Sequence, residues 1–357
     1  MSTEFIWQLP TSGDGRYGNA KKQRRGERAS SAHPYSEGVT DPRGRAFNYF
    51  DYLHQVARAA DLAGFDGIRI PEDPLGDEPW IVAGYVAQAS RRLKLLTEFE
   101  ASRGSSVYAA KNAVTFQRYT QERFAWQISV GPSAAQRAAL GDSVEDADLL
   151  ARIEEFVTVA RGVIGSSPSP FSFKGRFFEV ANGGFQGPLA NHKAPEVYLS
   201  GESEEALRLS ARFADIHVFD AAPAEDLARR VGTLRSFAAQ AGRTIGVGLR
   251  VDVVARESEK EAVFDARRFA EQSSSQWAGR DVPVGKNLWE GLSKDSAGAA
   301  ATLVGSYQQV AQALLEYAAA GTQSFLLSAV PHFEESYRLG EFVLPLIRSQ
   351  DTHRRVA

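Results

Sequence analysis

The chain contains no cysteine. Disulfides, thiolate chemistry and zinc held by sulfur are therefore excluded. It also has no strong charge of either sign. Lys and Arg number 41 against 44 Asp and Glu, a formal net charge of −3. That balance offers no electrostatic case for nucleic acid or an acidic membrane surface. No apolar run approaches the roughly 20 residues that a membrane-spanning helix needs. The start, Met1-Ser2-Thr3-Glu4, shows no basic region followed by an apolar one, so no signal peptide and a cytoplasmic location are expected. Two signatures are missing as well. There is no Gly-x-Gly-x-x-Gly dinucleotide fingerprint and no Gly-x-Ser-x-Gly nucleophile elbow. No set of His, Asp and Glu has metal-ligand spacing, so no metal is expected.

What is present is a rhythm. The 357 residues are 43% hydrophobic, enough for a sizeable core in one large α/β barrel or two ordinary domains. Strand-like runs at 4–9, 67–70, 93–99, 124–130, 196–200, 216–220, 244–254 and 323–328 alternate with helical runs. The helical runs are 49–63, 108–120, 146–164, 204–213, 224–241, 260–271, 307–320 and 333–347. Eight strands with intervening helices predict a closed parallel TIM (β/α)8 barrel rather than an open doubly wound sheet. Tyr52, Val56, Ala59, Ala60 and Ala63 recur at helical spacing and stop at Gly64. Val310, Leu314 and Tyr317 do the same before Gly321, and both glycines read as C-caps. A single domain is expected, with insertions at about 12–47, 166–195 and 272–305. The first and third follow strands one and seven, so they would hang over the active face. Within the second, 171–180 reads as a small hairpin. The basic cluster Lys21, Lys22, Arg24, Arg25 and Arg28 reads as a solvated loop rather than a nucleic-acid arm.

Several residues carry candidate chemistry. The run Ser324-Phe325-Leu326-Leu327 leads into Pro331-His332 and then a helix with Glu334 and Glu335 in its first turn. Acids favour a helix N-terminus, so His332 falls at the carboxyl end of a strand, where α/β barrels keep their chemistry. The segment 197–205 reads as strand, glycine turn and helix start. Backbone N–H groups at such a start can hold a phosphate, while Ser203 reads equally well as a plain N-cap with Glu205 nearby. Acids gather at or near strand ends: Glu98, Glu100, Asp220 and Asp252. By alternation Glu98 and Glu100 share a face, both inward or both outward. As a group they suit a ligand that donates hydrogen bonds, such as a polyol, an amide or a basic nitrogen. Singly, each reads as a brace for Arg69, Arg103 or Arg250. His33, in the first insertion, is placed to reach the active face; His217, in a strand, reads as a satisfied core histidine.

The start of the chain, Ile6-Trp7-Gln8-Leu9-Pro10-Thr11-Ser12-Gly13-Asp14-Gly15-Arg16-Tyr17, joins its end, Ser328 to Glu341, in one resemblance. Together they resemble the luciferase-like flavin-dependent monooxygenases, on the branch of the FMNH2-dependent alkanesulfonate monooxygenases, from Phe5 to about Ile347. The resemblance implies a two-component enzyme. Reduced FMN would come from a separate NAD(P)H:flavin reductase, O2 would form a peroxyflavin, and a small organic substrate would be oxidatively cleaved. It implies that Ser200, Gly201 and Ser203 bind the FMN phosphate, with Ser129 and Gly131 in a second phosphate loop and Trp7 walling the isoalloxazine. It gives His332 and Arg250 catalytic roles and makes Lys294 a substitute for a loop arginine in the substrate pocket. A homodimer or homotetramer is implied, with contact faces on the helices after strands two and three.

This chain departs from that pattern in one direction. Val130 stands where a threonine is usual, Leu150 where a tyrosine completes the clamp, Asp252 for a histidine and Asp220 for a tryptophan. Glu202 sits beside the expected phosphate. Donors and cations are lost and acids appear, so an altered, more acidic substrate pocket is expected. Two other outcomes fit the same departures: a relative that removes the ribityl chain from riboflavin, and a non-catalytic flavin-binding barrel. A deazaflavin-dependent dehydrogenase fits the start of the chain less well.

Overall fold

Alternating strands and helices build the molecule. The computed structural model describes residues 3–11, 49–73, 76–102, 104–273, 283–290 and 301–349; His33, Arg103 and Lys294 lie outside them. Eight parallel strands are β1 (Glu4–Gln8), β2 (Gly67–Ile70), β3 (Lys94–Glu100), β4 (Phe124–Ser129), β5 (Glu196–Ser200), β6 (Ile216–Asp220), β7 (Gly246–Arg256) and β8 (Ser324–Ser328). They neighbour one another in chain order, β8 pairs with β1 and with β7, and β6 pairs with β7, which closes the ring. This is the (β/α)8 barrel that the alternation predicts. The helices are α1 (Tyr49–Leu62), α2 (Pro79–Val86), α3 (Ser106–Thr120), α4 (Ala134–Ala139), α5 (Leu149–Ile164), α6 (Glu204–Phe213), α7 (Ala224–Gln240), α8 (Glu259–Ser273), α9 (Tyr307–Ala319) and α10 (His332–Phe342).

The chain divides into two compact units. The first comprises 1–93, 219–233 and 247–357. In it, Phe5 stacks on Phe325 with ring centres 5.5 Å apart, and Trp7 packs on Phe65 at 5.0 Å. Arg348, from beyond α10, lies over the Phe5 ring at 5.8 Å. The Phe5–Trp7 face of β1 therefore meets the outer layer, and the opposite face, with Gln8, turns inward. Gln8 accepts a hydrogen bond from Arg69 of β2, and both are buried. The second unit comprises 94–218 and 234–246. Phe99 of β3 and Trp126 of β4 meet edge to face at 5.5 Å, and both touch Phe156 of α5. These rings face the helices, so Glu98, Glu100, Gln127 and Ser129, of the opposite parity, face the interior. Trp126 is part of the core.

Two features differ from the sequence expectation. The helix α2, Pro79-Trp-Ile-Val-Ala-Gly-Tyr-Val, is apolar on every side and so carries no periodicity to read. Its start is nevertheless built in the usual way, with Pro79 at the first position and the Glu78 carboxylate accepting the Ile81 N–H at 3.0 Å. The small-residue run read as part of a loop at 272–305 contains strands Pro283–Gly285, Leu288–Glu290 and Ala301–Ser306. The last of these pairs in parallel with the far half of β7, from Thr302↔Asp252 to Ser306↔Arg256. The hairpin expected at 171–180 forms from Phe171–Lys174 and Glu179–Gly183.

Candidate active site

In the first unit, β7 and β8 set the geometry. Their register pairs Leu326 with Arg250 and Ser328 with Asp252. Paired residues of neighbouring parallel strands share a face, so Arg250, Asp252 and Ser328 point the same way. His332 opens α10 directly after Pro331, and its Nε2 lies 3.4 Å from Ser328 Oγ. Both side chains are buried, as is Asp252. The Trp7 ring meets the His332 ring at 6.1 Å in an edge contact. Trp7 is fully buried, and its Nε1–H has no hydrogen-bond partner among the described residues. A buried imidazole beside a hydroxyl can accept, hold and return a proton at a fixed position.

Arg250 is committed to Asp220. Its Nε donates to Asp220 Oδ1 at 2.7 Å and its Nη2 to Oδ2 at 3.0 Å, a two-pronged pair. The sequence places an acid and a cation at two strand ends; the structure joins them. Asp220 thus braces Arg250, as the alternative reading of the acids anticipates for single members.

In the second unit, the inward face of β3 and β4 carries Glu98 and Glu100. Gln127 donates to Glu98 at 3.4 Å, and Ser102 donates to Glu100 at 2.9 Å. Ser129 is the register partner of Glu100. Beyond it Gly131 has φ +88°, and a Cβ there would lie 3.0 Å from the Glu100 carboxylate. The turn after β5 is equally tight. Gly201 has φ +131°, and a Cβ would lie 2.7 Å from the Ala206 Cβ. Ser203 caps α6 by accepting the Ala206 N–H at 3.2 Å. The Glu205 carboxyl is held below its ordinary range by its own backbone N–H and by the Ser203 hydroxyl. Val130 is exposed and Leu150 half-buried, so neither adds a polar group.

Two contributors escape a reading of residue types. Ser328 becomes visible only once the β7–β8 register is known. Gln127 becomes visible only once Trp126 is seen to face α5. His217 is fully buried, as expected for a core histidine, and its Nδ1 lies 2.8 Å from Ser210 Oγ of α6. Among the described residues no group of His, Asp and Glu is gathered to hold a metal ion.

A family profile described as luciferase-like monooxygenase matches residues 27–324. Among solved structures, a riboflavin lyase (RcaE), with modified FMN and its substrate riboflavin, superposes with a TM-score of 0.76 at 16% identity, covering 98% of this chain and 92% of that one. A long-chain alkane monooxygenase (LadA) gives 0.75 at 17% identity, over 98% and 92% of the two chains. The EDTA monooxygenase (EmoA) of Chelativorans sp. BNC1 gives 0.72 at 17% identity, over 98% and 95%.

Proposed function

The chain belongs to the luciferase-like monooxygenase family and is a flavin-dependent monooxygenase; on that premise we propose its cofactor, its substrate class and the residues that serve them. The cofactor is reduced FMN, made by a separate NAD(P)H:flavin reductase. The substrate is a small organic molecule that carries hydrogen-bond donors. The observation that carries this reading is the seat of His332, buried at the end of β8 with Ser328 Oγ 3.4 Å from its Nε2.

The residues present fit such a cofactor. The Gly201 turn, at φ +131° and with a Cβ barred by Ala206, stands at the start of a helix whose first N–H groups lack intrahelical partners. Ser200, Gly201 and Ser203 would hold the phosphate there, with Ser129 and Gly131 from the second loop; the charge of Glu202 opposes it. Trp7, expected to wall the isoalloxazine, instead lies on the face of β1 that meets the outer layer, against Phe65 and His332. Reduced flavin, when bound, supplies the reaction with O2. The protein's own residues orient, shield and move protons. Ser328 and Trp7 hold the His332 ring, whose Nε2 would carry the proton exchanged during turnover. Arg250, closed on Asp220, braces the strand ends. Glu98, Glu100 and Asp252 would accept hydrogen bonds from the substrate.

That division of labour favours hydroxyl- or amine-bearing substrates over sulfonates. An alkanesulfonate needs cationic or donor groups, and the strand-seven arginine has both prongs engaged by a carboxylate. A second reading keeps the machinery and makes riboflavin the substrate, with loss of its ribityl chain. The inward pair Glu98 and Glu100 favours it, because ribityl hydroxyls can donate to carboxylates. A homodimer or homotetramer would use the helices after strands two and three, α2 and α3, where Ile81, Tyr85, Tyr108 and Tyr119 are exposed.

Oxygen consumption tests the reading. Protein and anaerobically reduced FMN are mixed with aerated buffer and a panel of polyols, riboflavin, amines and alkanesulfonates. Substrate-dependent oxidation by the wild type is expected, with kcat lower by about 10²–10⁴-fold in His332→Gln. Failure to bind reduced FMN at micromolar concentrations sinks the cofactor assignment. Turnover of alkanesulfonates alone sinks the substrate class.

A further inference from the structure

We propose that Glu335 is a positioning residue for His332: through Arg256 it ties the first turn of α10 to the end of β7 and so fixes where the imidazole sits. This rests on the reading above that His332 serves the reaction.

Every group involved belongs to the first unit. His332 opens α10, and Glu335 lies three positions on, on the same side of the helix. In the sequence Glu335 reads as one of two acids that favour a helix start, a role that an exposed carboxylate fills equally well. The structure buries it instead, and buries Arg256, the last residue of β7, against it. Arg256 Nη1 donates to Glu335 Oε2 at 3.0 Å, and Arg338, three positions further along α10, donates from Nε to Oε1 at 3.2 Å. Burying a carboxylate is costly unless its oxygens are satisfied, and here both accept. Arg256 is itself held in place. Its Nε donates to Asp265 of α8 at 2.6 Å, its Nη1 also donates to the Ala255 carbonyl at 2.7 Å, and its backbone lies in register with Ser306. The helix start needs such an anchor, because Pro331 occupies the N-cap and has no side-chain acceptor.

The consequence concerns distance. His332 Nε2 lies 3.4 Å from Ser328 Oγ, at the outer limit of a hydrogen bond. A small slide of α10 along β8 opens that contact, and proton exchange at a fixed point depends on it. The Arg256–Glu335 pair holds the helix against β7, the strand beside the one that carries Ser328. Removing the Glu335 charge tests this while leaving His332, Ser328 and Trp7 intact.

The six histidines are labelled with 13C and 15N in the ring, and the His332 signals are assigned by their loss in His332→Gln. Glu335→Gln keeps the size of the side chain and leaves Arg256 its bond to Asp265. In the full chain without added flavin, Glu335→Gln is expected to shift the His332 ring signals while those of His217 stay in place. Oxygen uptake gives a second readout, with whichever substrate of the panel the wild type oxidises. There kcat is expected to fall by about 10–10²-fold with KM within about twofold, the loss that misplacement away from the chemistry produces. In the His332→Gln background the same substitution is expected to change kcat by less than about twofold, because a residue that acts through His332 has nothing left to position. A merely structural Glu335 adds its full loss to that of His332→Gln. Unmoved His332 signals in folded Glu335→Gln overturn the inference, as does an additive loss of kcat. Where that variant does not fold, unmoved signals in Arg256→Lys do so. Should His332→Gln keep the wild-type kcat, the catalytic reading falls, while the ring shift still decides whether Glu335 sets the place of His332.

Discussion

His217 shows how a single buried side chain links the fold to pH. In an unfolded chain an imidazole takes up a proton near pH 6.5; in the folded protein burial holds this one down to about 4. Between those values the unfolded state binds the proton and the folded state does not. Lowering the pH through that window therefore favours unfolding, and the contribution is fully present above pH 6.5. The expected loss is on the order of 3 kcal/mol across the window. Urea titrations at a series of pH values should show that slope in the wild type and lose it in His217→Gln. Equal slopes in the two proteins would mean that the ring is not buried as described. At this scale the sequence makes residue types and strand ends legible, His332 at the close of a strand among them. It does not make pairings legible. Arg250 and Asp220 lie thirty positions apart, and the two-pronged bond between them follows from how β6 lies beside β7.

Elements with a clear period are legible almost to the residue. The expected runs 67–70, 196–200 and 204–213 coincide with β2, β5 and α6. The helix α2 lacks a period because it is apolar all round, and the strand Ala301–Ser306 is masked by the alanines before it. Contacts between elements are a further step away. The approach of α1 to α10 is one: a Cβ on Gly340 would sit 2.4 Å from the carbonyl oxygen of Ala63. In an isolated helix Gly→Ala gains about 1 kcal/mol. Here the added methyl meets backbone, which cannot rotate away, and overpacking typically costs about 1–3 kcal/mol. Gly340→Ala should therefore lower the thermal midpoint despite the better helix propensity. A raised midpoint would show that the two helices can separate at little cost.

At the scale of the whole molecule, the closed ring was legible from the alternation of strands and helices alone. The polarity of its interior was not, because parity stays ambiguous until one knows which face the helices cover. Phe99 and Trp126 against Phe156 resolve it in the second unit, and they turn Glu98 and Glu100 inward. Two carboxylates on one inward face either receive donors from a substrate or brace the barrel through neighbours such as Gln127 and Ser102. Kinetics separates these roles. If substrate donors bind there, Glu98→Gln and Glu100→Gln should each raise KM for a hydroxyl- or amine-bearing substrate by about tenfold or more, since a hydrogen bond to a charged group contributes about 1.5–3 kcal/mol. The thermal midpoint should move little, and any slow turnover of an alkanesulfonate should improve as the repulsion falls. If the carboxylates only brace the barrel, the midpoint should fall while KM stays at the wild-type value, and the substrate class proposed for this enzyme would have to be abandoned.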